Sequence, residues 1–544
     1  MMPISATPQP TDQKRILLDL KPALDGYAGI PQETRLLFRG LRGLQGCEVE
    51  GLIQHGGKRL RSAGSPPGKA LSVAQRANRS SRVVLSLREA PPPSPGGGSS
   101  GTGVSAPSPY KILFKILGGI LGYPSILWLR LQALAGRELR PGVFEARLFE
   151  DFLWRRLFAK TLRPVDKPLV TSAGFRVLRL PRKRFHQVGL DGRGLSTTPP
   201  YLRVATRGFQ FFIAQTPFPG RVSEGTRLIV RYHDSVPVLM PHTISDSVFH
   251  QAAHFYALQE NVRSGAWFCC VSEATRADLL QLFPEVESRS SVIHNMVSDE
   301  YFDEPSPASL VLEIIRNRRA KLPGLDGLSP SGPAADGLEY LLMVSTLEPR
   351  KNHLLLVAAW ERLKYTTWQQ LKLVVVGSRG WGDEPILEAF RPWLARGDLY
   401  YLDNVSSAEL RALYRHAAAT ICPSLCEGFD YSGVEAMCSG GTVIASDIPV
   451  HREVFADGAA YFDPYDADHA ALVINRVLAP GDRAERERLR AAGALVSRRY
   501  LTPSILPQWE TLLRGLGPNE CVPSGVRVLG SESDEDHRDL WSPV

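Results

Sequence analysis

The chain has 544 residues, with 64 Lys and Arg against 56 Asp and Glu, a formal charge of +8. That length exceeds what one hydrophobic core normally organises, so two domains are expected. The charge is modest for this size and comes without zinc-finger spacing or an RNA-binding aromatic signature, which argues against a nucleic-acid partner. Seven cysteines without a Cys-x-x-Cys pair give no sign of a metal site or a disulfide framework.

The amino-terminal part reads as a short strand, Ile16 to Leu18, then a glycine loop, Gly26-Tyr27-Ala28-Gly29. A helix follows with Pro31 at its first position and Leu36, Leu37 and Phe38 along it. No G-x-G-x-x-G follows a strand, which disfavours a nicotinamide or flavin enzyme.

Residues 56–109 hold eight Lys or Arg against one acid, Glu89, around the run Pro91 to Ser100, and read as a disordered basic insertion rich in Pro, Gly and Ser. Residues 110–135 follow as an apolar segment broken by Lys115, Gly118, Gly119, Gly122 and Pro124. Its uncharged stretch, Ile116 to Leu129, is fourteen residues against the roughly twenty that a spanning helix needs, so no transmembrane span is expected. Two readings stay open. One is an interfacial segment drawn to anionic lipid by Lys111, Lys115, Arg130 and Arg137; the other is a lid or helix pair packed on a domain.

A strand-like run, Leu228 to Tyr232, ends in His233-Asp234-Ser235-Val236-Pro237, and a second, Trp267 to Val271, ends in Ser272-Glu273. Ser272 suits a helix N-cap, with Thr275 and Arg276 in the first turn. Residues 317–337, with Pro323, Gly324, Pro330, Gly332 and Pro333, read as a hinge linker. It divides a first domain, 1–316, from a second, 338–505, with a crossover helix at 506–517 and an acidic tail at 518–544.

In the second domain Tyr340 to Val344 is β-rich and feeds the turn Ser345-Thr346-Leu347-Glu348-Pro349-Arg350-Lys351-Asn352, and Leu354 to Leu363 has helical periodicity. Arg350 and Lys351 therefore sit where a strand gives way to a helix, where free N–H groups and the helix dipole favour a phosphate. Arg offers a fork for two oxygens and Lys a point charge; the bland alternative is a solvated surface pair. Ala419 to Cys422 reads as a buried strand, followed by Pro423-Ser424-Leu425-Cys426-Glu427-Gly428 and a helix capped by Ser432 with Glu435 in its first turn. Ligands of open parallel sheets bind at that edge. Strands alternating with helices in both halves predict two doubly wound α/β domains. Asp466-Ala467-Asp468 reads as helix capping rather than metal binding.

Glu427-x7-Glu435, followed by Ala436-Met437-Cys438-Ser439-Gly440-Gly441-Thr442-Val443-Ile444-Ala445-Ser446-Asp447, resembles the retaining family 4 glycosyltransferases. The turn Ser345 to Asn352 is similar to their G-T-x-E-P-R-K-N element, and the stretches at His233, Ser272 and Val292 to Met296 resemble further family elements. The resemblance implies the GT-B architecture, two Rossmann-like domains facing a central cleft, with a nucleotide-diphospho-sugar as co-substrate and no metal or other cofactor. It also implies that Glu435 holds the ribose diol, that Arg350 and Lys351 neutralise the diphosphate, and that Glu427 and His233 orient the sugar. Gly29 would approach the acceptor and the phosphates, and Gly428, Phe429, Ser345, Thr346 and Ser272 would line the donor.

Two departures stand out. Ser345-Thr346 replaces the family's Gly-Arg, and Asp430-Tyr431-Ser432 replaces Gly-Leu-Pro, which would put Asp430 beside the sugar as a third carboxylate. The Glu-Pro-Arg-Lys-Asn element is common among mannosyltransferases of bacterial surface-polysaccharide pathways. The resemblance therefore implies mannose from GDP-mannose ahead of UDP-hexoses, a glycan or lipid-linked glycan as acceptor, and retention of configuration. A start without a signal-peptide pattern predicts a cytoplasmic location, with peripheral membrane contact at the inner face if the apolar segment is interfacial. Two other classes stay open: a GT-B-type epimerase of UDP-N-acetylglucosamine, and a non-catalytic nucleotide-sugar-binding assembly protein.

Overall fold

Continuous runs of Val, Ile, Leu and Phe suit strands covered on both faces, and the chain uses them to build two large open sheets, beside a small third sheet of three two-residue strands. The computed structural model describes residues 13–27, 29–56, 62–88, 126–191, 199–320, 338–479 and 483–516. Among them the strands of the first half are β1 (Lys14–Asp19), β2 (Cys47–Gln54), β3 (Glu138–Leu139), β4 (Gly142–Phe144), β5 (Gly174–Leu178), β6 (Arg203–Val204), β7 (Phe211–Ala214), β8 (Arg221–Val222), β9 (Arg227–Tyr232), β10 (Trp267–Cys270) and β11 (Ser290–Val292). Those of the second half are β12 (Tyr340–Val344), β13 (Lys372–Val376), β14 (Leu399–Leu402), β15 (Ala419–Cys422), β16 (Val443–Ser446) and β17 (Ala459–Phe462).

The first sheet runs β11-β10-β9-β7-β1-β2-β5-β4 and is parallel except for β4 against β5. The second runs β14-β13-β12-β15-β16-β17 and is parallel throughout. In each sheet the chain builds outward to one side and then returns to the other. Strand order therefore reverses between β1 and β7 in the first sheet and between β12 and β15 in the second. Crevices at such switch points, beyond the carboxyl ends of the strands, are where open α/β sheets bind ligands.

The helix Ile30–Gly43 buries Leu36, Leu37, Phe38 and Leu41 on the first sheet. The last described helix, Thr502–Gly515, adds Ile505, Trp509 and Leu513 to that same core, so the chain ends its described course on the first domain.

Three stretches depart from the sequence reading. Within 56–109, expected to be disordered, residues Val73–Arg88 form a helix. Gln75 N donates to Ser72 Oγ at 3.2 Å and Ser72 N to Gln75 Oε1 at 3.0 Å, a capping box. Val83 and Leu87 then enter the first-domain core, and Arg76 pairs with Glu145 at 2.9 Å. A basic composition hid an amphipathic spacing; residues 57–61 and 89–109 lie outside the described residues.

Of the apolar segment, residues 110–125 lie outside the described residues and 126–134 are helical. Ile126, Leu129 and Ala133 pack on the core, whereas Leu127, Trp128, Leu131 and Leu134 are exposed. Among the described residues no helix is long and apolar enough to cross a membrane.

The third departure is the boundary at 317. The helix Ser309–Arg318 places Val311, Ile314 and Ile315 in the second-domain core, Arg318 bonds Glu409 at 2.8 Å, and Arg319 bridges Leu402. Pro and Gly mark where the chain can bend, but the burial of the preceding helix decides which core it joins. Residues 321–337 and the acidic tail lie outside the described residues.

Candidate active site

The second-sheet switch point brings two loops together. After β12 the segment Pro349–Lys351 makes one 3-10 turn, ended by Asn352 in the left-handed region at φ 61°. Leu425 N, after β15, donates to Arg350 O at 2.9 Å and ties the loops to each other. Arg350 Nη1 then reaches Glu427 Oε2 at 2.9 Å and Cys426 O at 3.1 Å, and its Nε lies 3.2 Å from Glu348 Oε2. Lys351 Nζ donates to the other oxygen of Glu427. Burial alone would raise the Glu427 carboxyl, but Arg350 and Lys351 outweigh it and hold the group below the usual carboxylate range. For Glu348 burial wins and the pKa rises despite Arg350.

Across the cleft, Gly29 adopts φ 68° before the helix Ile30–Gly43, a conformation that favours glycine. The loop before it is held by Arg35, whose fully buried guanidinium donates to Ala23 O at 2.8 Å, Asp25 O at 2.9 Å and Gly26 O at 2.8 Å. Burial pushes Arg35 down to about 10, which still leaves it cationic at neutral pH. His233 follows β9, is buried, and is held neutral by that burial and by the charge of Arg231. Its Nε2 meets no hydrogen-bond partner among the described residues. The two domains touch here: a Cβ on Gly428 would lie 1.7 Å from His233 O.

The interface beside this contact is polar and buried. Gln32 Nε2 donates to Glu435 Oε1 at 3.1 Å and Tyr414 OH to Glu435 Oε2 at 3.2 Å. Burial raises the Glu435 carboxyl to about 7, against the opposing hydrogen bonds of Gln32, Tyr414 and Tyr301. Arg231 and Glu33 form an ion pair at 3.1 Å, and Tyr431 OH donates to Glu33 at 3.3 Å. Glu453 of the second domain accepts from Glu273 N at 2.7 Å and Ala274 N at 3.0 Å, and lies 2.8 Å from His294 Nε2.

The structure thus gathers Glu427, Arg350 and Lys351 into one cluster and sets His233 against Gly428, with Glu435 joined to the first domain through Gln32. Other expected residues are used differently. Asp430 was expected beside the sugar, yet its Oδ1 accepts from Ser432 N at 3.1 Å and Ser432 Oγ at 2.6 Å, and its Oδ2 lies 3.1 Å from His451 Nε2. Burial would raise Asp430, but the His451 hydrogen bond and the Lys351 charge hold it well below the usual range. Asp430, not Ser432, is therefore the N-cap of the helix Tyr431–Cys438, and Glu435 lies beyond its first turn. Ser272 caps the helix Glu273–Leu282 through Thr275 N at 3.1 Å. The N–H groups beside it are taken by Glu453. Ser345 Oγ meets His353 Nε2 at 3.1 Å, while Thr346 is half-buried beside it. The Phe429 ring packs on Tyr500 and Tyr431. Asp466 caps the helix Ala467–Leu478 as expected.

Sequence reasoning missed Gln32, Glu33, Arg35, Arg231 and His451. Arg231 carried a usable signal, a charge inside the apolar run Leu228 to Tyr232; Gln32 and His451 carried none.

Residues 328–495 match the family of glycosyl transferases described as group 1. Over 244 residues the chain is 28% identical to O-antigen chain mannosyltransferase B of Escherichia coli, covering 45% of this chain and 59% of that protein. It is 24% identical over 250 residues to the O-antigen chain mannosyltransferase RfbU of Salmonella typhimurium, covering 44% and 62%. The chain thus spans less than two thirds of either relative. Its fold is similar to that of sucrose-phosphate synthase from Thermosynechococcus elongatus, with a TM-score of 0.54 at 15% identity, covering 92% of this chain and 98% of that one. Two facing doubly wound domains with that likeness constitute the GT-B architecture.

Proposed function

With a glycosyl transferases group 1 domain at residues 328–495 as the premise, we propose that the chain is a retaining hexosyltransferase. It moves mannose from GDP-mannose to a glycan or lipid-linked glycan. The observation that carries this reading is Glu427 held between Arg350 and Lys351 at the second switch point, with His233 against Gly428 across the cleft. Mannose is favoured by relatives that are named O-antigen mannosyltransferases.

In this mechanism the bond between the anomeric carbon and the diphosphate oxygen breaks, and negative charge grows on the leaving diphosphate. Arg350 and Lys351 face that charge and stabilise it as it forms. The departing phosphate oxygen takes the proton of the acceptor hydroxyl on the same face, and the new carbon–oxygen bond forms on that face, so configuration is kept. No side chain need act as a strong base, and neutral His233 serves as a hydrogen-bonding group toward a sugar hydroxyl. Glu435 takes the ribose diol once Gln32 releases it. Closure of the domains excludes water and limits donor hydrolysis.

Two cations at the diphosphate make a metal unnecessary, so turnover should be insensitive to chelators. The exposed face of Leu127, Trp128, Leu131 and Leu134 suits peripheral contact with the inner face of a membrane from a cytoplasmic location. The test is calorimetry and thermal shift against GDP, UDP, ADP and their sugars, with Glu435→Ala as control. Selective stabilisation by the guanine ligands that the substitution removes is the expected result. Folded protein that binds none of them would overturn the reading in favour of an assembly role.

A further inference from the structure

Gln215 follows β7 directly and so stands at the first-sheet switch point. Leu18 pairs with Ile213 and Ala214 with Val230, which sets Gln215 between Leu20 and Arg231. Phe212 and Ala214 lie in the core on one face of the sheet, Phe211 and Ile213 in the core on the other. Continuing that alternation, Gln215 falls on the face of Phe211 and Ile213, the one covered by the helix Ile30–Gly43 that carries Gln32 and Glu33. Two residues after Arg231 on neighbouring β9 comes His233.

The side chain of Gln215 is 0% exposed, and neither its amide nitrogen nor its amide oxygen has a hydrogen-bond partner among the described residues. Burying an amide without partners is unfavourable, and almost all such groups in folded proteins are satisfied. His233 Nε2, on the adjacent strand end, is likewise buried and unpartnered. Gln215 and His233, with Arg231 Nε and Glu33 Oε1 beside them, are thus buried polar groups without hydrogen-bond partners among the described residues at the switch point beyond which open α/β sheets bind ligands, and Gly428 of the second domain lies against the His233 backbone. An amide presents a donor and an acceptor side by side. Neighbouring hydroxyls of a pyranose, each able to donate and accept, match that pair.

Resting on the transferase reading above, we propose that Gln215 reads the sugar: its amide binds two neighbouring hydroxyls of a hexopyranose in the crevice beyond β1 and β7. That hexose belongs either to the donor or to the acceptor, and the test separates them. Full-length wild type and Gln215→Met are titrated calorimetrically with GDP, with GDP-mannose, and with methyl α-D-mannopyranoside in the presence of saturating GDP. Met has similar length and no polar atoms, so the variant should fold with an equal or higher melting temperature.

A donor contact weakens GDP-mannose by about tenfold or more and leaves GDP unchanged, the range expected when buried polar groups lose their partners. An acceptor contact leaves both nucleotides unchanged and weakens methyl mannoside by a similar factor. Either result supports the proposal. Unchanged binding of all three ligands, an equal loss of GDP affinity, or a lowered melting temperature would overturn it while leaving the transferase reading intact. A wild type that binds neither GDP nor GDP-mannose would overturn both.

Discussion

The carboxylate of Glu33 and the guanidinium of Arg231 meet at 3.1 Å with neither side chain exposed, and the same carboxylate accepts from Tyr431 OH of the second domain at 3.3 Å. Removing one partner of such a pair leaves the other charge buried alone. Arg231→Met should therefore cost about 3–5 kcal/mol. Combining it with Glu33→Leu should recover most of that loss, because no lone charge remains. Urea denaturation of the two variants checks this, and a double variant as weak as the single one would refute the charge explanation.

Glu427 is the expected centre of the sugar site. Glu427→Gln keeps the shape but removes the charge between Arg350 and Lys351. Turnover should fall by about 10² or more, while nucleotide affinity holds and the melting temperature falls only moderately, since Arg350 keeps Glu348 beside it. A large drop in melting temperature with proportionate loss of activity would instead make Glu427 a structural brace.

Burial raises Glu435 from the ordinary 4.5 of a glutamate to about 7. The folded state therefore binds this proton more tightly than the unfolded one, and stability falls as pH climbs from the unfolded pKa to about 7, then levels off. The span corresponds to about 3 kcal/mol, at 1.36 kcal/mol per unit. Denaturation midpoints taken from pH 4.5 to 8 should show this decline in the wild type and lose it in Glu435→Gln. GDP-mannose, whose diphosphate does not titrate in this range, should bind more tightly as pH passes 7, because the ionised carboxylate accepts from both ribose hydroxyls.

At Gly428 a methyl group has nowhere to go. Its Cβ would lie 1.7 Å from His233 O, a backbone atom that cannot rotate aside. Gly428→Ala should hold the domains apart, raising the radius of gyration by X-ray scattering and cutting turnover at least tenfold. An unchanged scattering curve with full activity would show that the loops need not touch.

Strands were readable wherever the chain is apolar without interruption. Tyr340–Val344 and Ala419–Cys422 coincide with the sequence reading, because strands of a covered parallel sheet need no polar face. The cluster of Glu427, Arg350 and Lys351 was visible because each residue lies at a strand end marked by Pro or Gly. Gln32 and Glu435 lie 403 positions apart, and Tyr431 and Glu33 lie 398 apart. Their contact depends on how the domains meet, which no local pattern encodes. The tie between Asp430 and His451 was not legible, because a carboxylate before a helix looks the same whether it faces a ligand or a buried histidine.

Glu453 gives the closed state an internal anion. The start of the helix Glu273–Leu282 offers unpaired N–H groups and a positive dipole end, and in the closed arrangement the second domain's own carboxylate fills it. A tethered anion competes at an effective concentration that dilute free anions cannot match. Concentrated phosphate or sulfate can match it, and by seating at that helix end would act as a wedge, shifting the population toward the open cleft. Buffer anions thus become a handle on domain closure, to be read against their competing affinity for Arg350 and Lys351 at the diphosphate cluster.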